Sequence, residues 1–242
     1  VYFIDFDSTC TRMDLATQIP LLRSGGCLPE WHQISARFSS RYSTILNQQL
    51  FRTDQELNYS VEKFMEPFAQ LEYSGVNETE DASCLANIQH RALIDFAEQR
   101  DILRPGLDQF LSNTKKEGSS FVNVISANWS YTVVQRVLEK ASDEYRYVFT
   151  TMNNGVPDHQ SLVCEKAIVP VYTNDLLFDE RNVTTGKFFV KQVVSSEEKM
   201  GCMIRRINEL QNTCKMSPVS TVFIGDSLHD LLCLTKANVG IV

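Results

Sequence analysis

The chain has 242 residues, of which 43% are hydrophobic and 10% aromatic, enough apolar material for one packed core and a smaller second unit. Its formal net charge of -7 gives no general attraction to nucleic acid or to an anionic membrane surface, and no apolar run is long enough to span a bilayer. We therefore expect no nucleic-acid partner and no membrane partner, and the sequence makes no prediction about oligomeric state.

The seven cysteines form an odd set without a Cys-x-x-Cys pair, which favours reduced thiols over a disulfide framework or a zinc site. This pattern predicts a cytoplasmic protein. The chain begins at Val1 and ends at Val242, each within an apolar run and without an initiating Met. We expect it to be part of a longer gene product.

Short runs rich in β-branched and aromatic residues predict strands at Val1–Ile4, Phe121–Ile125, Tyr147–Thr150, Thr221–Ile224 and Val239–Val242. Helical periodicity lies between several of them, as in the spacing of Val133, Val134, Val137 and Leu138, or of Met200, Met203, Ile204, Ile207 and Leu210. Short continuous apolar runs that alternate with helices are typical of a buried parallel sheet. The pattern predicts an α/β fold.

Two carboxylates, Asp5 and Asp7, follow the first predicted strand. Because strand side chains alternate, both point to one side while Phe6 points away. Ligands of open α/β sheets bind at such strand ends, and two adjacent carboxylates favour a bound cation or a division of roles between nucleophile and acid. The alternative is a pair of solvated acids capping a turn.

The next stretch, from Asp14 to Arg104, carries long helical patterns and no convincing strand, which predicts a helical insertion. The breaker cluster Arg104-Pro105-Gly106 returns the chain to the core before a helix from Leu107 to Lys116. Further on, residues 163–190 alternate apolar and polar side chains around two turn signals, which predicts antiparallel strands added to the core.

Two side chains are candidates for binding an anionic group. Ser126 ends the strand Phe121–Ile125 and precedes a helix, where its hydroxyl and nearby N–H groups suit an oxyanion; the alternative is a helix cap. Lys199 lies in the first turn of a helix opened by the capping-box pattern Ser195–Glu198, against the helix dipole. Lys187 and Lys191 compete for its role.

A second carboxylate pair follows the strand Thr221–Ile224. Gly225 permits a tight turn, Asp226 stands at the strand end, and Asp230 is four residues further on the same helix face. Asp226 as an ordinary helix cap is the alternative. Together with Asp5 and Asp7, this pair predicts a cluster of hard oxygen ligands, which favours Mg²⁺ over zinc.

These four segments, in this order, resemble the motifs of the haloacid dehalogenase superfamily of phosphohydrolases. The resemblance implies a Rossmann-like, doubly wound catalytic core formed by residues 1–13 and 105–242, with residues 14–104 as the helical cap of the phosphoserine phosphatase-like branch. Within that branch, the segments around Asp7, Ser126 and Asp226 are similar to the phosphatase domain of plant thiamin monophosphate phosphatases. That domain is fused there to a thiaminase-II-like domain, which these residues do not contain.

The resemblance also implies roles. Asp5 would attack phosphorus and form an aspartyl-phosphate, and Asp7 would act as general acid and base. Mg²⁺ would be held by Asp5, the backbone carbonyl of Asp7 and Asp226, with Asp230 in support, while Ser126 and Lys199 would bind the phosphoryl oxygens. The cap residues Arg12, Asp14 and Arg23 are candidate specificity contacts, with solvated surface groups as the alternative.

The implied substrate is a small phosphorylated metabolite: thiamin monophosphate, phosphoserine or a nucleotide. A dehalogenase of the same fold needs neither an acid at Asp7 nor a metal ligand at Asp226. A phosphotransferase would use the same residues with an alcohol as acceptor. A non-catalytic binding module is the remaining alternative, although every expected acid is present.

Overall fold

A computed structural model describes residues 1–51, 60–99, 102–116, 120–151, 167–214 and 219–242, with the side chains of 213 and 214 outside the description. The strands are β1 (Tyr2–Ile4), β2 (Ala86–Gln89), β3 (Val122–Ile125), β4 (Tyr145–Phe149), β5 (Ala167–Tyr172), β6 (Asp175–Phe178), β7 (Val183–Val190), β8 (Val222–Ile224) and β9 (Val239–Ile241). The α-helices are α1 (Pro29–Leu50), α2 (Val61–Asp81), α3 (His90–Ala97), α4 (Leu107–Lys116), α5 (Tyr131–Ala141), α6 (Ser196–Cys214) and α7 (Leu231–Lys236), and two 3₁₀ helices cover Ala16–Leu22 and Leu228–Asp230.

Six strands form a parallel sheet in the order β4-β5-β3-β1-β8-β9. The side chains of its inner strands are mostly buried on both faces, whereas those of the edge strand β9 are exposed. Ile4 packs with buried residues of α3, α4 and α5 on one face, and Phe3 packs with buried residues of α6 and α7 on the other. Helices on both faces of a parallel sheet make a doubly wound α/β fold, so the predicted fold class is confirmed.

A second, three-stranded antiparallel sheet has the order β2-β7-β6. Its β2 lies within the stretch 14–104, so the prediction of no strand there is wrong. The segment Ala86–Gln89 is short and includes Asn87 at a positive φ of 62°, so its strand conformation depends on pairing with β7 rather than on local pattern. The next helix, α3, packs against α5 and belongs to the main core.

The prediction of antiparallel strands in 163–190 is correct for β6 and β7 and wrong for β5. That strand lies between β3 and β4 and pairs with both in parallel. Its last four residues, Val169–Tyr172, are buried, which is typical of an inner strand covered on both faces. Residues 163–166 lie outside the described residues.

Helices α1 and α2 pack side by side and run antiparallel. The Tyr42 ring contacts the Phe68 ring, whereas Arg37, earlier in α1, pairs with Glu78, later in α2. The first helix begins with Pro29, whose fixed φ suits a first helical position, and Ser60 caps the second by accepting the N–H of Lys63.

The described cysteine side chains form no disulfide; they are Cys10, Cys27, Cys84, Cys202 and Cys233. Cys164 and the Cys214 side chain lie outside the described residues. Within the part of the chain that the structure describes, no helix has both the length and the apolar character needed to cross a bilayer.

Candidate active site

The ends of three neighbouring strands bring the predicted acids together. β1 lies between β3 and β8, with Ile4 paired to both Val124 and Ile224. Asp5 therefore follows the central strand, and its N–H donates to the Ile224 carbonyl at 2.9 Å. Because carboxyl ends of parallel strands meet at one edge, the segments that begin at residues 5, 126 and 225 share that edge.

One carboxylate oxygen from each of Asp5, Asp226 and Asp230 lies within 4.8 Å of the others. The Thr9 hydroxyl donates to Asp226 Oδ1 at 3.1 Å and fixes that exposed side chain. Three hard oxygen ligands that converge on one point fit Mg²⁺. The Asp7 carboxylate is not among them, and the coordination predicted for its backbone carbonyl stays a prediction.

Asp230 is held by the turn that precedes it. Its Oδ2 accepts the Ser227 N–H at 3.1 Å and the Ser227 hydroxyl at 2.9 Å, as well as the Asp226 N–H at 3.2 Å. Ser227, not Asp226, is the N-cap of the 3₁₀ helix, so the alternative of Asp226 as a cap is excluded. A Cβ on Gly225 would lie 2.5 Å from Asp230 Cγ, so this glycine is required for close approach rather than for the predicted tight turn.

Lys199 reaches the acids from the first turns of α6. Glu198 Oε2 accepts the N–H groups of Val194 at 2.7 Å and Ser195 at 3.2 Å, which completes the predicted capping box. The Lys199 ammonium donates to Asp5 Oδ1 and, at 2.5 Å, to Asp230 Oδ1. Burial alone would lower the pKa of Lys199, but these two carboxylates outweigh burial and raise it.

The pKa values of Asp5 and Asp230 shift in opposite directions, although both carboxylates contact Lys199. Burial raises the pKa of Asp5 to about 7, and the charge of Lys199 opposes the rise. Burial also acts on Asp230, but Lys199 and the Ser227 hydroxyl outweigh it and lower the Asp230 pKa. A cation beside Asp5 therefore favours its ionised form, which is the form that a nucleophile needs.

Asp7 occupies a different setting. Its Oδ1 accepts the Leu15 N–H at 2.8 Å, and the Asn128 side-chain amide donates to Oδ1 at 3.2 Å and Oδ2 at 3.0 Å. Burial raises the Asp7 pKa well above its usual value, and the charges of Asp14 and Asp5 add to the rise. A carboxyl group with a raised pKa keeps its proton to a higher pH than an ordinary aspartic acid does, which suits a general acid.

Ser126 lies one residue beyond β3 and is fully buried. Its hydroxyl accepts the Asn128 N–H at 3.0 Å. The following helix α5 is capped by Ser130, whose hydroxyl accepts the Val133 N–H, so Ser126 is not the cap. Ala127 reaches the adjoining cavity, while binding of an oxyanion by Ser126 stays a prediction.

A cavity of about 470 Å³ adjoins these residues. Helices α1 and α2 cover it, and its apolar and aromatic walls include Trp31, Ile34, Phe38, Tyr42, Val76 and Trp129. The carboxyl groups of Asp5, Asp7, Asp14, Glu72 and Asp226 face it as well. Among the described residues that line the cavity, Lys199 is the one permanent cation.

A carboxyl–imidazole pair joins helix α2 to the turn that carries Asp226 and Asp230. His229 Nδ1 lies 3.4 Å from Glu72 Oε1, and both side chains are nearly buried. Burial raises the pKa of Glu72 to about 8, while Lys199 and the Ser196 N–H oppose the rise. Burial lowers the pKa of His229 to about 4, so both groups are neutral at pH 7.

Of the two competing lysines and the three candidate specificity contacts, Asp14 alone lines the cavity. Lys191 pairs with Glu80 at 2.6 Å, and Lys187 is exposed on β7. The guanidinium groups of Arg12 and Arg23 donate to the backbone carbonyls of Leu103 and Ala86, outside the cavity wall.

Three groups of functional interest have no independent signal in the amino-acid sequence. Asn128 follows the Ser126 motif by two residues, a spacing that is informative only once its contact with Asp7 is known. Glu72 lies in a helix rich in polar residues, and nothing local separates it from its solvated neighbours. The pairing of Trp31 with Trp129, with ring centroids 5.6 Å apart, joins distant parts of the chain.

Comparisons with known proteins give two relatives, although no protein-family model matches the chain. It is 25% identical over 248 residues to a CTO1 family protein of Schizosaccharomyces pombe, covering 100% of this chain and 81% of that protein. It is 25% identical over 268 residues to the bifunctional TH2 protein, mitochondrial, of Arabidopsis thaliana, covering 100% of this chain. The chain spans 39% of the length of the Arabidopsis protein.

Solved structures of phosphoserine phosphatase share the fold. The phospho-aspartyl intermediate analogue of that enzyme aligns with a TM-score of 0.53 and 15% identity, covering 99% of this chain and 83% of that one. Its substrate-bound complex gives 0.52 at 15% identity, covering the same shares. A phosphoserine phosphohydrolase-like protein from Francisella tularensis gives 0.50 at 12% identity, covering 98% and 83%. The fold implied by the resemblance to the haloacid dehalogenase superfamily is confirmed.

Proposed function

We propose that this chain is a Mg²⁺-dependent phosphatase that hydrolyses a small phosphate monoester through an aspartyl-phosphate on Asp5. The observation that carries the proposal is the convergence of Asp5, Asp226 and Asp230 within 4.8 Å, with Lys199 bonded to two of them. The fold is that of an enzyme crystallised as a phospho-aspartyl intermediate analogue, which supports the same chemistry here.

In the proposed reaction, a carboxylate oxygen of Asp5 attacks phosphorus and the ester P–O bond breaks. Asp7 gives its proton to the departing alcohol oxygen and then takes a proton from the water that hydrolyses the intermediate. Lys199 neutralises charge between Asp5 and the phosphoryl oxygens, and Ser126 is the proposed second phosphoryl contact. Bound Mg²⁺, held by Asp5, Asp226, Asp230 and the Asp7 carbonyl, would supply electrostatic stabilisation of the phosphoryl group.

We further propose that residues 14–104 form a cap over a core of residues 1–13 and 105–242, with α3 and β2 as the part fixed to the core. The cavity walls contributed by α1 and α2 support this division. A covered cavity excludes bulk water, which strengthens the electrostatic contacts within it. The described cysteines form no disulfide, which supports a reducing compartment and the predicted cytoplasmic location.

The walls of the cavity favour one class among the candidate substrates. Aromatic side chains such as Trp31 and Trp129 suit a flat leaving group. Asp14 faces the cavity, and no arginine is among the described residues that line it, which disfavours a leaving group with its own negative charge and suits a cationic one. Thiamin monophosphate, whose leaving alcohol contains an aromatic cation, fits these walls better than phosphoserine, whose leaving group carries a carboxylate.

The proposed chemistry is tested by measuring phosphate release from a panel of monoesters, with Mg²⁺ or with a chelator. We expect turnover only with Mg²⁺ and a loss of at least about a thousandfold in Asp5→Asn. Asp81→Asn, an exposed aspartate at the end of α2, is the matched control and should keep wild-type turnover. Comparable turnover in wild type and Asp5→Asn refutes the nucleophile, and no release from any ester refutes the phosphatase.

The proposed substrate class is tested separately on the wild-type protein. Values of kcat/KM are compared for thiamin monophosphate, phosphoserine, phenyl phosphate and a nucleoside monophosphate. We expect the aromatic cationic ester to exceed phosphoserine by at least about tenfold, the equivalent of 1.4 kcal/mol. A preference for phosphoserine would be consistent with the phosphatase function but would exclude an aromatic cationic ester as the substrate class. An assay with added alcohol identifies transfer to an acceptor other than water.

A further inference from the structure

The Asn128 side chain contacts the carboxyl group of Asp7 directly. It is fully buried, and its Nδ2 lies 3.2 Å from Asp7 Oδ1 and 3.0 Å from Oδ2. Both distances are those of donated hydrogen bonds. A buried amide that spans both oxygens of a reactive carboxyl group constrains the rotation of that group about its last side-chain bond.

Hydrogen bonds fix both the side chain and the backbone of Asn128. Its Oδ1 accepts the Ser130 N–H at 2.9 Å, its own N–H donates to the Ser126 hydroxyl, and its carbonyl accepts the Thr173 hydroxyl at 2.9 Å. The Ser130 N–H can pair only with the oxygen of the Asn128 amide, so the NH₂ end must face Asp7. The orientation of the donor is therefore fixed by the backbone, not by Asp7.

The two oxygens of Asp7 are left unequal by these contacts. Oδ1 accepts both the Leu15 N–H at 2.8 Å and the Asn128 amide, whereas the amide is the one donor to Oδ2 among the described residues. An oxygen with two donors already directed at it has no lone pair to spare for a proton. The proton of the neutral acid therefore belongs on Oδ2.

We propose that Asn128 is the positioning residue for proton transfer, holding Asp7 with the proton on Oδ2 directed at the leaving alcohol. The inference rests on the proposed phosphatase function. In the step concerned, the Asp5–phosphorus bond forms and the ester P–O bond breaks. The electron pair of that bond stays on the alcohol oxygen, the Oδ2 proton moves to it, and Asp7 is left as a carboxylate.

The acidity of the leaving alcohol provides the test. The leaving group of an alkyl phosphate is a strongly basic alkoxide, which needs the proton. The leaving group of 4-nitrophenyl phosphate is a stable phenolate, which needs the proton little. The parameter to measure is kcat/KM, because it reports the steps up to alcohol release and not the later hydrolysis of the intermediate. We expect Asn128→Ala to lower kcat/KM about a hundredfold for 2-phosphoglycerol and less than about tenfold for 4-nitrophenyl phosphate.

Ser130→Ala is the matched control, since it removes the hydroxyl that caps α5 from the same loop without touching Asp7. It should change kcat/KM for the two esters by the same factor. Asn128→Leu keeps the side-chain volume and replaces the Ala variant if thermal melting shows that the latter does not fold.

Equal losses for both esters in the folded Asn128 variant would overturn the positioning role and leave the phosphatase intact. Absence of wild-type hydrolysis of either ester would instead reject the function on which the inference rests. A selective loss for the alkyl ester, absent from Ser130→Ala, supports it.

Discussion

Glu72→Gln should make the protein more stable, and increasingly so as the pH rises. Glu72 lies on α2 with 12% of its side chain exposed, and its Oε2 is buried without a hydrogen-bond partner among the described residues. Ionising this carboxyl group in the folded protein places a charge where burial disfavours it. The neutral amide of Gln occupies the same volume and never ionises.

The magnitude follows from the pKa. Burial raises the pKa of Glu72 from 4.5 to about 8, and this shift corresponds to at most about 5 kcal/mol. Because the folded-state pKa is the higher one, the folded protein holds the proton between these values and loses stability as the pH rises through them. Glu72→Gln removes this loss, so its advantage grows by about 1.4 kcal/mol per pH unit across the window.

Thermal melting of wild type and variant at pH 5 and pH 8 measures the effect. From pH 5 to pH 8 the advantage grows by at most about 4 kcal/mol. With about 2 °C of Tm for each kcal/mol in a chain of this size, we expect Glu72→Gln to gain up to about 8 °C on wild type between the two pH values. Glu66→Gln, on the exposed face of the same helix, is the control and should show no such gain. An equal Tm difference at pH 5 and pH 8 would refute the buried, neutral carboxyl group.

Three further substitutions test the residues that form and support the proposed active site. Lys199→Met leaves the carboxylates of Asp5 and Asp230 facing each other, and we expect phosphate release to fall by about 10² to 10³; a smaller loss would exclude Lys199 from the phosphoryl site. Gly225→Ala places a methyl group 2.5 Å from Asp230 Cγ, so kcat/KM should fall at least about tenfold, and unchanged activity would contradict the close packing. Glu198→Ala removes the cap of α6, and urea unfolding should show a loss of about 1 to 2 kcal/mol, whereas no loss would mean that the cap is unimportant.

The position of the proposed active site could be predicted from the sequence because a few general rules determine it. Parallel strands end at one edge, and the acids at positions 5 and 226 stand directly after apolar runs, so their proximity followed from the fold class. Lys199 was recognisable because a cation in the first turn of a helix opposes the dipole. The structure explains its presence by the two carboxylates that it contacts.

The remaining features depend on contacts between distant segments. β2 forms because β7 offers a partner nearly one hundred residues later, and no local pattern in Ala86–Gln89 predicts this. Asn128 and Glu72 gain their roles from Asp7 and His229, which approach them only in the folded chain. β5 was assigned to the wrong sheet because apolar alternation does not distinguish an inner parallel strand from an added antiparallel one.

The ion pairs of Lys199 have a consequence for how the protein assembles. One ammonium already bridges Asp5 and Asp230, so the centre of the site is held together by the polypeptide itself. In small metalloproteins whose ligand clusters lack such a bridge, ion binding and folding are a single event. Here we expect the two events to be separable, so that a newly made chain completes its tertiary structure first and binds the proposed divalent ion afterwards, as a late step of maturation.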